Sequence, residues 1–374
     1  MKTRLRAGIV GTGFMAHVHA RAIRDAGHEV VAIAGSSADS SQRAAEELDV
    51  AKSFSSWREL VQSDSVDVVH VCTPNEFHAE ISIAAAESGK HVVCEKPISV
   101  SLEQALEMQK TLNDTVVGFA IPFAYRFYPV VREIRQRVAN GEAGMLHLLH
   151  GSYLQDWLAD SESSDWRVDS TSGGASRAFA DIGSHWCDLM EFITGERIAR
   201  VMANTSKAYA HRGQNAVTTE DIATVIFETT TGISGSLTVS QVSFGRKNQL
   251  LIELDGSNAS YTFNQEQPDS FLVGGKNSNQ VVSVSQHSPG LATDARRLSR
   301  LPAGHPQGYQ DAFNNFVADA YSGFQGHQID GVPQIADGVR AAILIEAVLR
   351  SARTRAWVEV QVVADSMQPK MMAS

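Results

Sequence analysis

The chain has 374 residues, 43% of them hydrophobic and 20% charged, which suits two folded domains and excludes wholesale disorder. A formal net charge of −10, with no Lys/Arg-rich stripe, argues against nucleic acid as a partner. No apolar run approaches the ~20 residues that span a bilayer, and the three cysteines, Cys72, Cys94 and Cys187, are far apart and suit a reducing compartment better than a disulfide framework.

The basic start, residues 1–6, leads into a short strand-like run without the long apolar stretch of a secretory signal, so the expected location is the cytoplasm. That run, residues 5–10, is followed at once by Gly11-Thr12-Gly13-Phe14-Met15-Ala16. Phe14, Val18, Ala22 and Ala26 then recur at helical spacing, with Phe14, Val18 and Ala22 as a core stripe, Gly27 as the stop and residues 30–34 as a second strand. Strand, glycine turn, helix and strand form the setting that a dinucleotide fingerprint requires. Gly11 permits the turn, Gly13 lets backbone approach a pyrophosphate, and Ala16 keeps helix and strand close, while the helix N-terminus offers N–H groups to the phosphates. The same pattern also fits a tight βα turn with no ligand.

An acidic residue at the end of the second strand would grip the ribose 2′-hydroxyl of NAD. The sequence there reads Ala34-Gly35-Ser36-Ser37-Ala38-Asp39, with no carboxylate at the expected spot. Ser36 and Ser37, with Arg43 beyond, could take a 2′-phosphate, which favours NADP within an NAD(P) assignment; Asp39 reads as a cap of the next helix.

Strand and helix continue to alternate through residues 67–72, 76–88, 90–94, 101–112 and 116–119, which predicts a parallel, doubly wound sheet binding its ligand beyond the strands' C-terminal ends. Thr73-Pro74-Asn75 and Glu95-Lys96-Pro97 sit at two such ends. Pro97 keeps Lys96 out of the next helix, so its ammonium could stabilise alkoxide charge on a substrate; a surface lysine paired with Glu95 fits the spacing equally well.

These residues resemble the glucose–fructose oxidoreductase / inositol dehydrogenase (Gfo/Idh/MocA) family. The resemblance is carried by the glycine turn, by Cys72-Thr73-Pro74-Asn75 with His78, and by residues 89–97 ending in Glu95-Lys96-Pro97, in the family's order. It implies an N-terminal Rossmann domain and a C-terminal α/β domain with a large, mainly antiparallel open sheet. It further implies NAD(P)-linked oxidation or reduction of a sugar, cyclitol or related polyol, with Lys96 in the active site. The cofactor residues it marks are Gly11, Thr12, Gly13, Phe14, Met15, Ser36, Ser37, Thr73, Pro74, Asn75, His78, Glu95 and Lys96.

Beyond about residue 121 the alternation gives way to a helix at 128–140, a strand at 145–154 and a polar stretch at 161–176. Further strands are expected at 200–207, 221–228, 233–243, 249–254 and 259–263. Residues 274–302 read as a long loop, a lid or a subunit contact; helices follow at 309–321 and 338–352, a last strand at 357–363 and a frayed tail at 365–374. The expected division is a Rossmann domain at 1–120, a substrate and oligomerisation domain at 121–364, and the tail. An open sheet needs a cover for one face, so a homodimer or homotetramer is expected.

Asp181, His185 and Asp188 stand at i, i+4 and i+7 within Asp181-Ile182-Gly183-Ser184-His185-Trp186-Cys187-Asp188, and share one face if helical. Imidazole suits proton transfer near neutral pH and a carboxylate can orient it. On spacing alone the set could be a structural His–Asp pair, a metal site with no further ligands in support, or a catalytic pair. D-x-G-x-H-x-x-D is the family's second signature, so the resemblance makes His185 the base, Asp181 the group that binds the hydroxyl and Lys96 the third member, with Asp188 in support; no metal is implied. Arg126, Tyr153, Gln155, Asp156 and Trp166 are candidate substrate residues, alongside Trp157 and Arg167. The run 153–157 with Trp166 and Arg167 combines hydrogen-bonding groups with flat rings, a strand end with packed tryptophans fits it equally well, and Arg126 could face the substrate or cap the domain junction. The expected partner is a small sugar or polyol, with neither nucleic acid nor membrane. The expected activity is a CH–OH dehydrogenase; internal redox during elimination or glycoside hydrolysis, and a non-catalytic nucleotide sensor, are the alternatives.

Overall fold

In the first third of the chain the apolar runs that separate the helices are buried on both faces, as strands of a parallel sheet must be. The computed structural model describes residues 4–163 and 165–371. It opens with β1 (Arg6–Val10), α1 (Phe14–Asp25), β2 (Glu29–Ala34), α2 (Ala38–Glu47), β3 (Lys52–Phe54), α3 (Trp57–Gln62), β4 (Val68–Val71), α4 (His78–Glu87), β5 (His91–Cys94), α5 (Leu102–Asn113) and β6 (Phe119–Ala120). All six strands are parallel, in the order β3-β2-β1-β4-β5-β6. The order reverses between β1 and β4, which opens the crevice where such sheets bind ligands. Gly11 N–H donates to Ala34 O (2.8 Å), Cys72 N–H to Val10 O (2.7 Å) and Glu95 N–H to Val71 O (3.0 Å), so the turns after β1, β4 and β5 lie side by side at one edge.

The second unit begins with α6 (Pro129–Ala139), β7 (Leu146–Leu154) and the short α7 (Ser170–Gly173). A π-helical turn at Phe179–Gly183 runs directly into α8 (Ser184–Thr194). There follow β8 (Ile198–Ser206), the small β9 (His211–Arg212) and β10 (Asn215–Ala216) pair, β11 (Ile222–Thr229), β12 (Ser234–Ser240), β13 (Gln249–Gly256), β14 (Ala259–Asn264), β15 (Ser270–Gly275), β16 (Asn279–Ser283) and α9 (Thr293–Leu298). After α10 (Tyr309–Phe324) and α11 (Ile335–Thr354) come β17 (Val358–Glu359) and α12 (Val360–Met371). The large sheet runs β16-β15-β14-β13-β7-β12-β11-β8-β17, antiparallel throughout except for the parallel pair β7 and β12. Period-2 alternation sends Val201, Phe227, Leu149, Leu254 and Phe263 to the buried face, which carries α6 and α8. On the other face one register row crosses the sheet, Met202–Ile226–Ser236–His150–Glu253–Thr262–Leu272–Val281, and none of its residues is buried.

Residues 309–340, expected within the second domain, belong instead to the first unit with residues 1–124, whereas 125–308 and the chain from 341 form the second. The physical reason is α10, which packs along α1 and buries Phe313, Phe316 and Tyr321 there. Local periodicity records a buried face but not its partner.

Other expectations are corrected. Residues 274–302 are not one loop, because β16 pairs with β15 and α9 packs on α6. The last strand is limited to Val358–Glu359, and Val360 begins a helix whose buried Val360 and Val363 hold it to the unit. That helix continues through Met371, so the expected tail is helical as far as Met371; positions 372–374 lie outside the described residues. Phe14 is 73% exposed at the mouth of the turn, so the core stripe of α1 is carried by Val18 and Ala22 without it. Ser37, rather than Asp39, caps α2 in a reciprocal box with Ser40, and exposed Asp39 stands in the first turn.

Candidate functional site

In the first unit the site is built around Gly11. Its φ is +114°, and a Cβ there would be driven into the Cys72 carbonyl. Gly13, by contrast, faces open space at the start of α1, whose first turn holds no acidic residue and whose cap makes no side-chain hydrogen bond. The backbone N–H groups there are available to an anion. Thr73 Oγ1 on the neighbouring turn is buried with no partner among the described residues. The residues present therefore fit a dinucleotide pyrophosphate. Replacing Gly11 with Ala is expected to weaken nucleotide affinity at least about tenfold and to cost about 1–3 kcal/mol of stability; NADH fluorescence titration and urea denaturation read the two effects.

His78 ties two turns together, its Nδ1 lying 2.7 Å from Pro97 O and its Nε2 2.9 Å from Thr73 O. Burial pushes its imidazole below the usual value, so one of the two contacts is a donated hydrogen bond at neutral pH. The Lys96–Pro97 peptide is cis. Lys96 is half-buried, and its N–H donates to Glu95 Oε2 (3.2 Å). Burial alone would raise Glu95, but a hydrogen bond from His19 and the charge of Lys96 more than offset it and hold the carboxyl below its ordinary range. At the end of β2, the Ser37 hydroxyl accepts from Ser40 N–H (3.2 Å) and Ser36 is exposed.

In the second unit Asp181 lies in the π-turn and His185 one turn on, in the first turn of α8, so the structure places both in one continuous helical run. The π-turn needs Gly183, because a Cβ there would enter the Phe179 ring. Gln241 Nε2 donates to Asp181 Oδ2 (2.7 Å), and Arg167 Nε stands 3.9 Å from Oδ1. Arg167 also lies 4.3 Å from the centre of the Trp166 ring, which brings Trp166 into the same neighbourhood. The His185 ring meets the edge of Tyr125 at 5.1 Å. Tyr125, Tyr153 and Asn248 close a hydrogen-bonded ring: the two hydroxyls are 2.5 Å apart, Tyr153 donates to Asn248 Oδ1 (2.8 Å), and Asn248 Nδ2 donates to Tyr125 (3.2 Å). Gln155 joins through the same Asn248 oxygen and accepts from Trp157 Nε1. Burial raises the Tyr125 phenol above its usual value and the Asp181 charge adds to this, so the Tyr125 hydroxyl keeps its proton.

The rotation of α8 is set from below. Trp186 Nε1 donates to Leu251 O (2.8 Å), over Gly151, where any Cβ would meet both the indole and that carbonyl. The π-turn is held at its start by Glu220, whose Oε1 accepts from Ser176 Oγ (2.7 Å), Arg177 N–H (3.0 Å) and Phe179 N–H (2.9 Å). Next to it, Asp221 is buried between Arg177 and Arg212.

The structure thus gathers Asp181, His185, Tyr153, Gln155 and Trp166. Arg126 is placed differently, because its guanidinium is engaged two-handed by Asp188 and lies over Phe192. Asp156 accepts from Lys247 Nζ (2.6 Å) and Gly245 N–H (3.0 Å), which holds its carboxyl below the usual range and braces the segment after β12. Gln241, Asn248, Glu220 and Asp221 were missed from the sequence; a Glu-Asp pair at the end of a polar loop just before an apolar strand was the available signal for the last two. Among the described residues no cluster of three or more His, Cys, Asp or Glu is placed to hold a metal ion.

Comparison with known proteins gives the following. Residues 5–121 match the oxidoreductase family with an NAD-binding Rossmann fold, and residues 131–262 match the GFO/IDH/MocA C-terminal domain. Levoglucosan dehydrogenase of Pseudarthrobacter phenanthrenivorans is 28% identical over 95% of this chain and 98% of its own length. A solved levoglucosan dehydrogenase in complex with NADH and levoglucosan superposes with a TM-score of 0.89 over 96% of this chain and all of the other. An oxidoreductase domain protein from Kribbella flavida is 31% identical, with a TM-score of 0.88 over 96% of this chain and 99% of its own. Inositol 2-dehydrogenase of Corynebacterium glutamicum is 29% identical over 57% of this chain and 61% of its own length.

Proposed function

The chain belongs to the GFO/IDH/MocA family of oxidoreductases, and from that premise we propose that it is a dehydrogenase acting on a CH–OH group of a sugar or cyclitol with NAD(P). The observation that carries this reading is the seating of Asp181 and His185, held one turn apart by Gln241 and by the packing of α8, in a chain whose other unit carries the dinucleotide turn. Gly11, Thr12, Gly13, Phe14 and Met15 would hold the pyrophosphate, with Thr73, Pro74, Asn75 and His78 shaping the neighbouring turn. When bound, the nicotinamide supplies the hydride acceptor or donor.

The chain's own groups manage the proton. His185 takes the hydroxyl proton in oxidation and returns it in reduction. Asp181, aimed by Gln241, accepts from a neighbouring hydroxyl of the polyol and offsets the imidazolium charge. Lys96 donates to the developing alkoxide. Gln155 and Trp166 provide polar and flat surface for a polyol. The lack of a carboxylate at the end of β2 supports NADP, although structures of the levoglucosan relative hold NADH. Absorbance at the reduced-nicotinamide band, with a panel of sugars, anhydrosugars and inositols against both cofactors, tests the reading. Steady turnover supports it; bound nucleotide without turnover would overturn it in favour of internal redox.

The same reading includes self-association. The open row of the large sheet presents Met202, Ile226, Leu272 and Val281 to solvent, each at least 36% exposed, and a second copy would cover it. Ile226→Asp combined with Met202→Asp is expected to reduce the assembly to monomer in light scattering after size exclusion. A wild-type mass that was already monomeric would end this proposal. No helix among the described residues is long and apolar enough to cross a membrane. The three free cysteines support a cytoplasmic location; burial pushes the Cys94 thiol up to about 12.

A further inference from the structure

Four polar side chains from separate elements meet inside the first unit, in a region where each would be costly alone. His19 on α1, His70 on β4 and Tyr321 on α10 have no solvent exposure, and Glu95 after β5 is nearly buried. Glu95 Oε1 lies 3.0 Å from His19 Nε2, His19 Nδ1 lies 2.6 Å from His70 Nδ1, and His70 Nε2 lies 2.8 Å from the Tyr321 hydroxyl. Phe313 packs against His19 at 4.7 Å and seals the group.

Proton counting gives this chain a direction. Two imidazole nitrogens at 2.6 Å need one proton between them, so two neutral histidines must be opposite tautomers. Burial pushes His70 well below its ordinary value, which keeps it neutral, and raises Tyr321, which keeps its proton. An ionised Glu95 can only accept, so His19 carries its proton on Nε2 and donates to it. His19 Nδ1 then accepts from His70 Nδ1–H, and His70 Nε2 accepts from Tyr321 O–H. With both histidines neutral this assignment satisfies every contact and each donor points toward Glu95, whereas an imidazolium at His19 would donate through Nδ1 and reverse the two outer bonds. The other oxygen of Glu95 accepts the backbone N–H of Lys96.

We propose that Glu95, His19, His70 and Tyr321 form one directional hydrogen-bonded chain that keeps a carboxylate seated against Lys96, which makes Glu95 and His19 positioning residues for that lysine. The purpose assigned to the chain rests on the role proposed above for Lys96; its existence does not. A polar plug that merely filled space would need no fixed tautomers and would leave Lys96 indifferent to the charge on Glu95.

Full-length protein labelled with [15N]histidine tests the chain directly. Long-range proton–nitrogen spectra, assigned through His19→Gln and His70→Gln, are expected to show His19 protonated on Nε2 and His70 on Nδ1 between about pH 6 and 8. The reverse pattern, or an imidazolium at either position, overturns the chain. Its purpose is read from Glu95→Gln, expected to lower kcat for the sugar found in the panel at least about tenfold while KM for the nucleotide stays within about twofold. His19→Gln, which keeps an N–H for the carboxylate, is expected to retain more activity than His19→Ala. Wild-type kcat in Glu95→Gln overturns the positioning role. Should no sugar turn over, the rate of Lys96 acylation by acetic anhydride relative to Lys90, followed by mass spectrometry, takes the place of kcat. A ratio unchanged by Glu95→Gln is then the overturning result. An inert Lys96→Met substitution with the tautomers intact would remove the lysine's proposed role and leave the chain standing.

Discussion

Replacing His185 with Ala is expected to lower kcat by about 10²–10⁴-fold, while nucleotide affinity in the first unit changes by no more than about twofold. The residue is one turn beyond Asp181, 9% exposed, and set by the edge contact with Tyr125 and by the anchoring of Trp186 on Leu251. These contacts hold the ring in place without needing it for the fold, so the variant should remain folded and lose only its proton acceptor. Asp181→Asn should lose less, because an amide oxygen still accepts a hydrogen bond but cannot offset an imidazolium. Steady-state kinetics with the responding sugar, together with NADH titration, separate the two quantities. Full activity in His185→Ala would remove the base from the mechanism.

The second large effect concerns stability. Asp221→Ala should cost about 3–5 kcal/mol, because it strands two buried guanidinium groups. Asp221 and both arginines are buried; the carboxylate is shared by Arg177 and Arg212, and its second oxygen accepts from Ala208 N–H (2.7 Å). Arg212 also donates to Leu158 O, Asp160 O and Ser163 O, so the loss would loosen the loop after β7 as well as the start of the π-turn. Burial alone would raise the Asp221 carboxyl, but the arginines outweigh it and hold it below the usual value. A depressed carboxyl contributes stability that is fully present above the unfolded value of about 3.9 and is lost as pH falls through the folded one. The wild type should therefore lose urea resistance in that acid range more steeply than Asp221→Ala. Equal urea midpoints for the two proteins at neutral pH would contradict this account.

Much of the first unit was legible because its signals are local. Gly11 and Gly13 stand between an apolar run and a helical pattern, and Glu95-Lys96-Pro97 follows a strand directly, so both turns could be placed from a few neighbouring residues. Asp181 and His185 were equally visible as an i, i+4 pair. What places them was not visible. Gln241 reaches Asp181 across 60 positions, Glu220 reaches Phe179 across 41, and Asn248 reaches Tyr125 across 123. A polar side chain's partner in a folded protein is chosen by the sheet register, and spacing along the chain carries no record of it. The same holds for the His19–His70 contact, which joins two elements 51 positions apart. The partner of Arg126 was hidden in the same way, since Asp188 lies 62 positions further along the chain.

The return of residues 309–340 to the first unit bears on how the protein is made. The ribosome releases α1 and the strands of the parallel sheet early, but the α10 residues that cover α1, Phe313 and Phe316 among them, emerge only after nearly the whole second unit. At about 5–20 residues per second, the nascent sheet waits roughly ten to forty seconds for its last helix. During that interval the apolar flank of α1 is exposed to whatever is nearby. Chaperone engagement of arrested nascent chains should therefore persist past residue 124 and end only once residue 324 has cleared the exit tunnel.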